Sequence, residues 1–172
     1  MQKLFSHPLQ IDDMGNGTKT YYLKANKEQL KYIAEVLKLD DVLRFEARVD
    51  VLFKYKTHKI DVTGNVVADV EHTSVVSLDK FIKNYSTDFA MQFDTEITYD
   101  QIKDLDLEFD DDVPDPVENG QIDLADIAME QLALILEDFP RKEGEVFKFE
   151  SEFDEETTKK TNPFAALAKL KK

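Results

Sequence analysis

Few residues in this chain are of types that do chemistry, and their spacing limits what they can do. Asp123, Asp126 and Glu130 follow one another at three- and four-residue steps, so a helix would line their carboxylates along one face. Paired carboxylates can act as general acid and base. Asp123 directly precedes an apolar run beginning at Leu124, and a helix N-cap is the simpler role for it. Glu130 lies inside that run; if buried it needs a partner, and Arg141 is the first candidate. A second acidic group, Asp104, Asp106, Glu108, Asp110, Asp111, Asp112, Asp115 and Glu118, offers the oxygen ligands hard cations take. It lacks the D-x-[DN]-x-[DN]-G order of a calcium loop, and so dense a run of like charge reads as an exposed loop. His7, His58 and His72 are scattered without metal-ligand spacing. There is no G-x-S-x-G, P-loop or G-x-G-x-x-G motif. The absence of cysteine removes thiolate metal sites, disulfides and a cysteine nucleophile together. The chain reads as a non-enzyme with no catalytic, cofactor or metal residues.

The cations suggest recognition instead. Arg44, Arg48 and Lys54 share one face of an alternating segment, with Lys56 and Lys59 in the turn beyond. Such a strip could grip RNA phosphates, but Glu46 and Asp50 interrupt it and ordinary ion pairing is the plainer reading. Arg141 and Lys142 follow the central helix and suit its negative end. Lys159, Lys160, Lys169, Lys171 and Lys172 surround Phe164 and Leu167, a short basic amphipathic tail able to dock on RNA, a protein groove or the domain itself. The whole chain carries a net charge of −14. Residues 1–100 hold 13 basic against 16 acidic side chains, net −3, and residues 101–172 hold 9 against 20, net −11. That field disfavours broad phosphate binding and suits a basic protein partner.

The elements that position these groups follow from periodicity. Asn26 with Gln29 three residues on forms a capping-box signature, and Leu30, Ile33, Ala34 and Leu37 continue it at helical spacing, which predicts a helix over 27–39. Strand-like alternation precedes it at Tyr21, Leu23 and Ala25, with 5–9 as an edge strand or entry segment. Leu43, Phe45, Ala47, Val49, Val51, Phe53 and Tyr55 then form the apolar face of a long strand. Ile60, Val62, Gly64, Val66, Ala68 and Val70 form that of its partner, with Val76 and Leu78 still in phase. Gly64 marks a bulge or a close backbone approach. A third strand places Phe89, Met91, Phe93 and Ile97 inward, and a last one covers 146–153. This is the alternation of an antiparallel sheet wet on one side. One long helix over 123–137, apolar nearly all round through Leu124, Leu132 and Leu134 and stopped by Pro140, is predicted to be buried over the sheet. The fold class is therefore α+β: an antiparallel β-sheet, open or curled toward a barrel, covered by one long buried helix plus a shorter one. Residues 1–153 make one domain and 154–172 a loose polar linker and tail. No run reaches the roughly 20 apolar residues of a membrane span, and residues 1–13 lack the apolar core of a signal peptide, so a soluble, cytoplasmic, monomeric protein is expected.

Several pieces, in this order, resemble the YceD family of large ribosomal RNA subunit accumulation proteins. They are Pro114, then Ile122-Asp123-Leu124, Glu130-Gln131-Leu132-Ala133-Leu134, Phe139-Pro140-Arg141-Lys142 and Asn162-Pro163-Phe164-Ala165-Ala166-Leu167. Phe5-Ser6-His7-Pro8-Leu9 resembles the family's start, and Gly64-Asn65-Val66-Val67-Ala68-Asp69-Val70 its strand. That strand usually leads to a cysteine, from which some members are described as metal and nucleic-acid binders; here Ser74 stands in its place. The resemblance implies a factor supporting synthesis, processing or stability of large-subunit ribosomal RNA, with a subunit precursor or an assembly protein as partner. It implies no reaction. Direct RNA binding or processing through the basic strip is the alternative.

Overall fold

The computed structural model describes residues 3–15, 17–103 and 113–146. The chain divides into two units, residues 1–142 and 143–172. The described part of the second is 143–146, a turn with Gly144 at φ 82°. The last predicted strand beyond Val146, the boundary at 153/154, and Phe164, Lys169, Lys171 and Lys172 lie outside the described residues, as does the acidic run over 104–112.

The first unit is α+β. Strands β2 (Thr18–Lys24), β3 (Asp41–Lys54), β4 (Lys59–Thr73) and β5 (Lys80–Asp94) pair antiparallel in that order. A two-residue strand, β6 (Asp115–Pro116), adds to β5 in parallel. Among the described residues the sheet does not close into a barrel; β2 and β6 are its ends. A separate antiparallel pair joins β1 (Pro8–Gln10) to β7 (Gln121–Asp123). The helices are α1 (Lys27–Leu37), α2 (Tyr99–Lys103) and α3 (Leu124–Ile135). α1 packs on β3 and α3 on β4 and β5, so both lie on the apolar side of the sheet.

Alternation explains the core. Phe45, Ala47, Val49, Val51, Ile60, Val62, Val66, Ala68 and Val70 are all buried, as period-two packing demands. Gly64 is the gap in this row, and the reason is close approach. A Cβ there would lie 2.3 Å from the Arg48 carbonyl oxygen and 2.8 Å from the Phe89 ring, while Val49↔Gly64 pairing runs on without a bulge. The bulge sits elsewhere, between Val42 and Arg44. It turns Val42 into the core and leaves Leu43 exposed, reversing the simple alternation. Tyr55 is likewise exposed, in the turn beyond β3, where its hydroxyl donates to the Met14 carbonyl.

The first correction concerns the strand boundaries. β4 ends at Thr73, so Val76 and Leu78 do not continue it. Ser74 is fully buried, and its hydroxyl accepts the Val76 and Ser77 N–H groups at 3.1 and 3.3 Å. A side chain that satisfies these donors competes with the sheet ladder and makes a turn; Leu78 closes it at φ 63°. The chain then begins β5 at Lys80, nine residues before the apolar signal at Phe89, and this first half, with Tyr85 buried, pairs with β4 in continuous register. Ile97 falls beyond β5, which ends at Asp94.

The second correction concerns the covering helix. α3 has 12 residues against 11 in α1, so it is not the one long helix. It buries Leu124, Ala125, Ile127, Ala128, Met129 and Leu132 on one side, but Leu134 is 77% exposed and Glu130 faces solvent. An apolar composition here does not mean burial all round. α3 stops at Ile135, before Pro140, where Leu136 turns to an extended conformation. α1 does form with its capping box complete, Asn26 accepting from Glu28 and Gln29 and the Gln29 side chain from the Asn26 N–H.

Candidate functional site

Asp123 joins the N-terminal segment to α3. Its Oδ1 accepts the Ala125 N–H at 2.9 Å as an N-cap and the His7 N–H at 2.8 Å. Its Oδ2 takes Ser6 Oγ at 2.5 Å and Lys3 Nζ at 2.6 Å. Burial pushes this carboxyl up, but the bonds from Lys3, Ser6, His7 and Ala125 together outweigh it and hold it at about 2. Lys3 also reaches Asp126 at 2.6 Å. Asp123 and Asp126 are thus bridged by a cation and spent on structure. Glu130, on the exposed side of α3, has no ion pair with Arg141; partial loss of hydration there and the nearby charges of Asp126 and Asp115 raise its pKa.

Three cations of the basic strip, Arg44, Arg48 and Lys54, are likewise paired. On the open face of the sheet, Arg44 pairs with Glu46 at 2.6 Å and Arg48 with Asp50 at 3.1 Å, and Lys54 with Asp61 across to β4. Lys24 from β2 joins Glu46 at 3.0 Å. Tyr22, 76% exposed, stands opposite Arg48 beside this network. Each of these cations therefore has a carboxylate partner. Of the cations after the central helix, Lys142 binds Asp79 at 2.7 Å and Arg141 is exposed.

What the sequence did not single out is a cleft of about 460 Å³ where the C-terminal ends of α1 and α3 meet the end of β4. α1 ends on Lys38 in the left-handed conformation at φ 56°, its N–H returning to Ala34 and Glu35. This turns Leu39 and Asp40 into the cleft wall before β3 begins. His72 lines it from β4, in phase with the buried Val70, and Leu136, Glu137 and Asp138 from the end of α3. Beneath lies a buried pair: Tyr85 Oη and His72 Nε2 are 2.9 Å apart, with their rings edge-to-face. Burial lowers the His72 pKa, and Lys83 adds to this against the opposing pull of Asp40 and Glu137. Burial raises that of Tyr85. A neutral histidine hydrogen-bonded to a neutral tyrosine closes off the end of the core. Lys83 caps the pair, lying 5.5 Å from the Tyr85 ring centre and joined to Glu137. Ser74, the residue at the expected cysteine position, adjoins the cleft through Val75, whose N–H donates to the Pro140 carbonyl at 3.0 Å.

Among the described residues no group of three or more His, Asp or Glu could hold a metal ion, and no helix is long and apolar enough to cross a membrane. The arrangement is that of an acidic α+β domain with helices on one sheet face and a solvated, ion-paired network on the other. The family model described as "Large ribosomal RNA subunit accumulation protein YceD" matches residues 62–171, more than half of the chain, and the chain belongs to the YceD family. The matched span takes in most of β4, all of β5 and α3, and the Pro114 to Pro140 signature; the Phe5-Ser6-His7-Pro8-Leu9 segment lies before it. Comparison with curated proteins and with solved structures finds no match.

Proposed function

We propose that this protein supports the accumulation of large-subunit ribosomal RNA by binding, without catalysing a reaction, and that its direct contact is a basic protein of the assembling subunit. The family membership supplies the process. The observation that carries the mode of action is the neutralised strip: Arg44, Arg48 and Lys54 are each held by a carboxylate, in a chain of net charge −14. Phosphate contacts need cations that can exchange counterions for RNA. Cations already paired give up that gain, whereas a basic protein surface meets complementary charge. The action is placed in the cytoplasm, where subunit precursors are assembled, with the protein as a monomer and no cofactor.

The test is affinity purification of the tagged full chain at moderate salt, with and without RNase, followed by identification of what is retained. Retention of a large-subunit precursor or assembly protein that survives RNase is the expected result. Recovery abolished by RNase would move the contact to RNA itself. Recovery of nothing ribosomal in either arm would overturn the reading.

A further inference from the structure

We propose that the cleft between the C-terminal ends of α1 and α3 docks a basic protein segment, an apolar side chain of which packs against Val75, Ala133, Leu136 and Pro140 while a neighbouring arginine or lysine meets Asp40 and Asp138. This rests on the binding function proposed above and names its site and the chemistry of the partner.

Three independent features of the cleft select that occupant. The first is its lining. Leu37, Leu39, Val75, Ala133, Leu136 and Pro140 give it an apolar wall, and Val75 is 48% exposed despite being hydrophobic. Leu134 and Phe139, more exposed still, belong to the same stretch of chain without lining the cleft. Exposed apolar side chains gathered around a concavity mark contact sites rather than ordinary surface.

The second is charge. Asp40, Glu137 and Asp138 stand on the rim against one lining cation, Lys38. Lys83 already takes Glu137, and the Thr73 hydroxyl donates to Asp40 at 2.7 Å. Asp40 and Asp138 have no ion-pair partner among the described residues, so both can meet an incoming cation.

The third is the helix ends. α3 carries no basic residue in its last turn, and α1 has Lys38 at its C-cap. Two negative dipole ends therefore meet at one cleft, and that of α3 is left without the compensation helices usually have there. An incoming arginine or lysine supplies it, whereas RNA would bring phosphates to the same negative potential.

The probe is a fluorescein-labelled peptide of alternating arginine and leucine, titrated against the full chain at low salt, with backbone amide shifts recorded by NMR. Shifts should centre on residues 37–40, 72–75 and 133–140. The double variant Asp40→Asn, Asp138→Asn should weaken the peptide roughly tenfold. The double variant Asp12→Asn, Asp13→Asn, which changes net charge equally on another part of the unit, should leave Kd unchanged. Replacing the peptide's leucines by serine should weaken it as much as the first double variant does. Equal weakening by both double variants, or indifference to the leucines, would reduce the effect to bulk charge and overturn the proposal. So would competition for these shifts by poly-uridine RNA.

Failure here is separable from failure of the function. Full-length protein that still retains ribosomal partners when Asp40 and Asp138 are replaced overturns the cleft alone. A peptide that binds at the cleft of a protein retaining nothing ribosomal upholds the cleft and overturns the function.

Discussion

Replacing Asp123 by asparagine isolates the charge at the joint between the N-terminal segment and α3. Asparagine keeps an oxygen for the Ala125 N–H, so the cap survives; what is lost is the carboxylate that Lys3, Ser6 and His7 share. The folded carboxyl sits at about 2, against an ordinary 3.8. That difference corresponds to about 2.4 kcal/mol of folding stability near neutral pH. The Asp123 side chain is only 14% exposed, so solvent screening removes little of this. The sign follows from the direction of the shift. The folded-state pKa is depressed, so the stabilisation is complete above the unfolded value and fades as pH falls toward the folded one. Linkage gives about 1.3 kcal/mol remaining near pH 3 and about 0.4 near pH 2. Urea unfolding of wild type and Asp123→Asn, followed by circular dichroism across this range, should show a gap of about 2 kcal/mol at pH 7 that closes steadily in acid. A gap below about 0.5 kcal/mol at pH 7, or one that does not narrow with acid, would refute the assignment of Asp123 as the charged hub. Lys3→Met should reproduce part of the loss at pH 7 and raise the Asp123 pKa.

Gly64→Ala places its methyl against the Arg48 carbonyl, a backbone atom that cannot swing away, and should lower stability by about 2–3 kcal/mol, read as a fall in Tm. Asn26→Ala removes the capping box of α1 and should cost about 1 kcal/mol in the same measurement. The bulge in β3 makes Val42 core and Leu43 surface, so Val42→Ala should destabilise by about 1–2 kcal/mol and Leu43→Ser by less than about 0.5 kcal/mol; the reverse order would place the bulge wrongly. His72 has a folded pKa below its ordinary 6.5 because of its burial, so its contribution is whole above that value and is lost as pH falls below it. NMR titration of the His72 ring should find the depressed midpoint, and Tyr85→Phe should remove the hydroxyl partner and destabilise the fold by about 1–2 kcal/mol.

How much of this was legible in the chain depends on the distance over which each feature is decided. The α1 cap, the Asp123 cap and the inward faces of β3 and β4 are local facts: a side chain and the backbone three residues away, or alternation along one strand. The two caps appear as the sequence predicts them, and the strand faces do so apart from Leu43 and Tyr55, which the bulge and the turn leave exposed. The end of β4 failed because Val76 and Leu78 keep the period, while Ser74, a single buried hydroxyl, decides the backbone path. The end of α3 failed for a related reason. Pro140 is the visible stop signal, but the helix ends earlier, at Ile135, where Leu136 turns to an extended conformation that no local signal marks. These two misreadings flank the same place. The turn at Ser74 presents Val75, and the early end of α3 presents Leu136, Glu137 and Asp138; the two meet at His72 and Tyr85 to open the cleft. A regular continuation of either element would have filled it. No motif marks it, because its walls come from three separated stretches, each of which reads on its own as the unremarkable end of a helix or strand. The cleft proposed as a docking site thus arises where strand and helix both depart from local periodicity, and the acidic rim at Asp40 and Asp138 gives that interruption its chemical character.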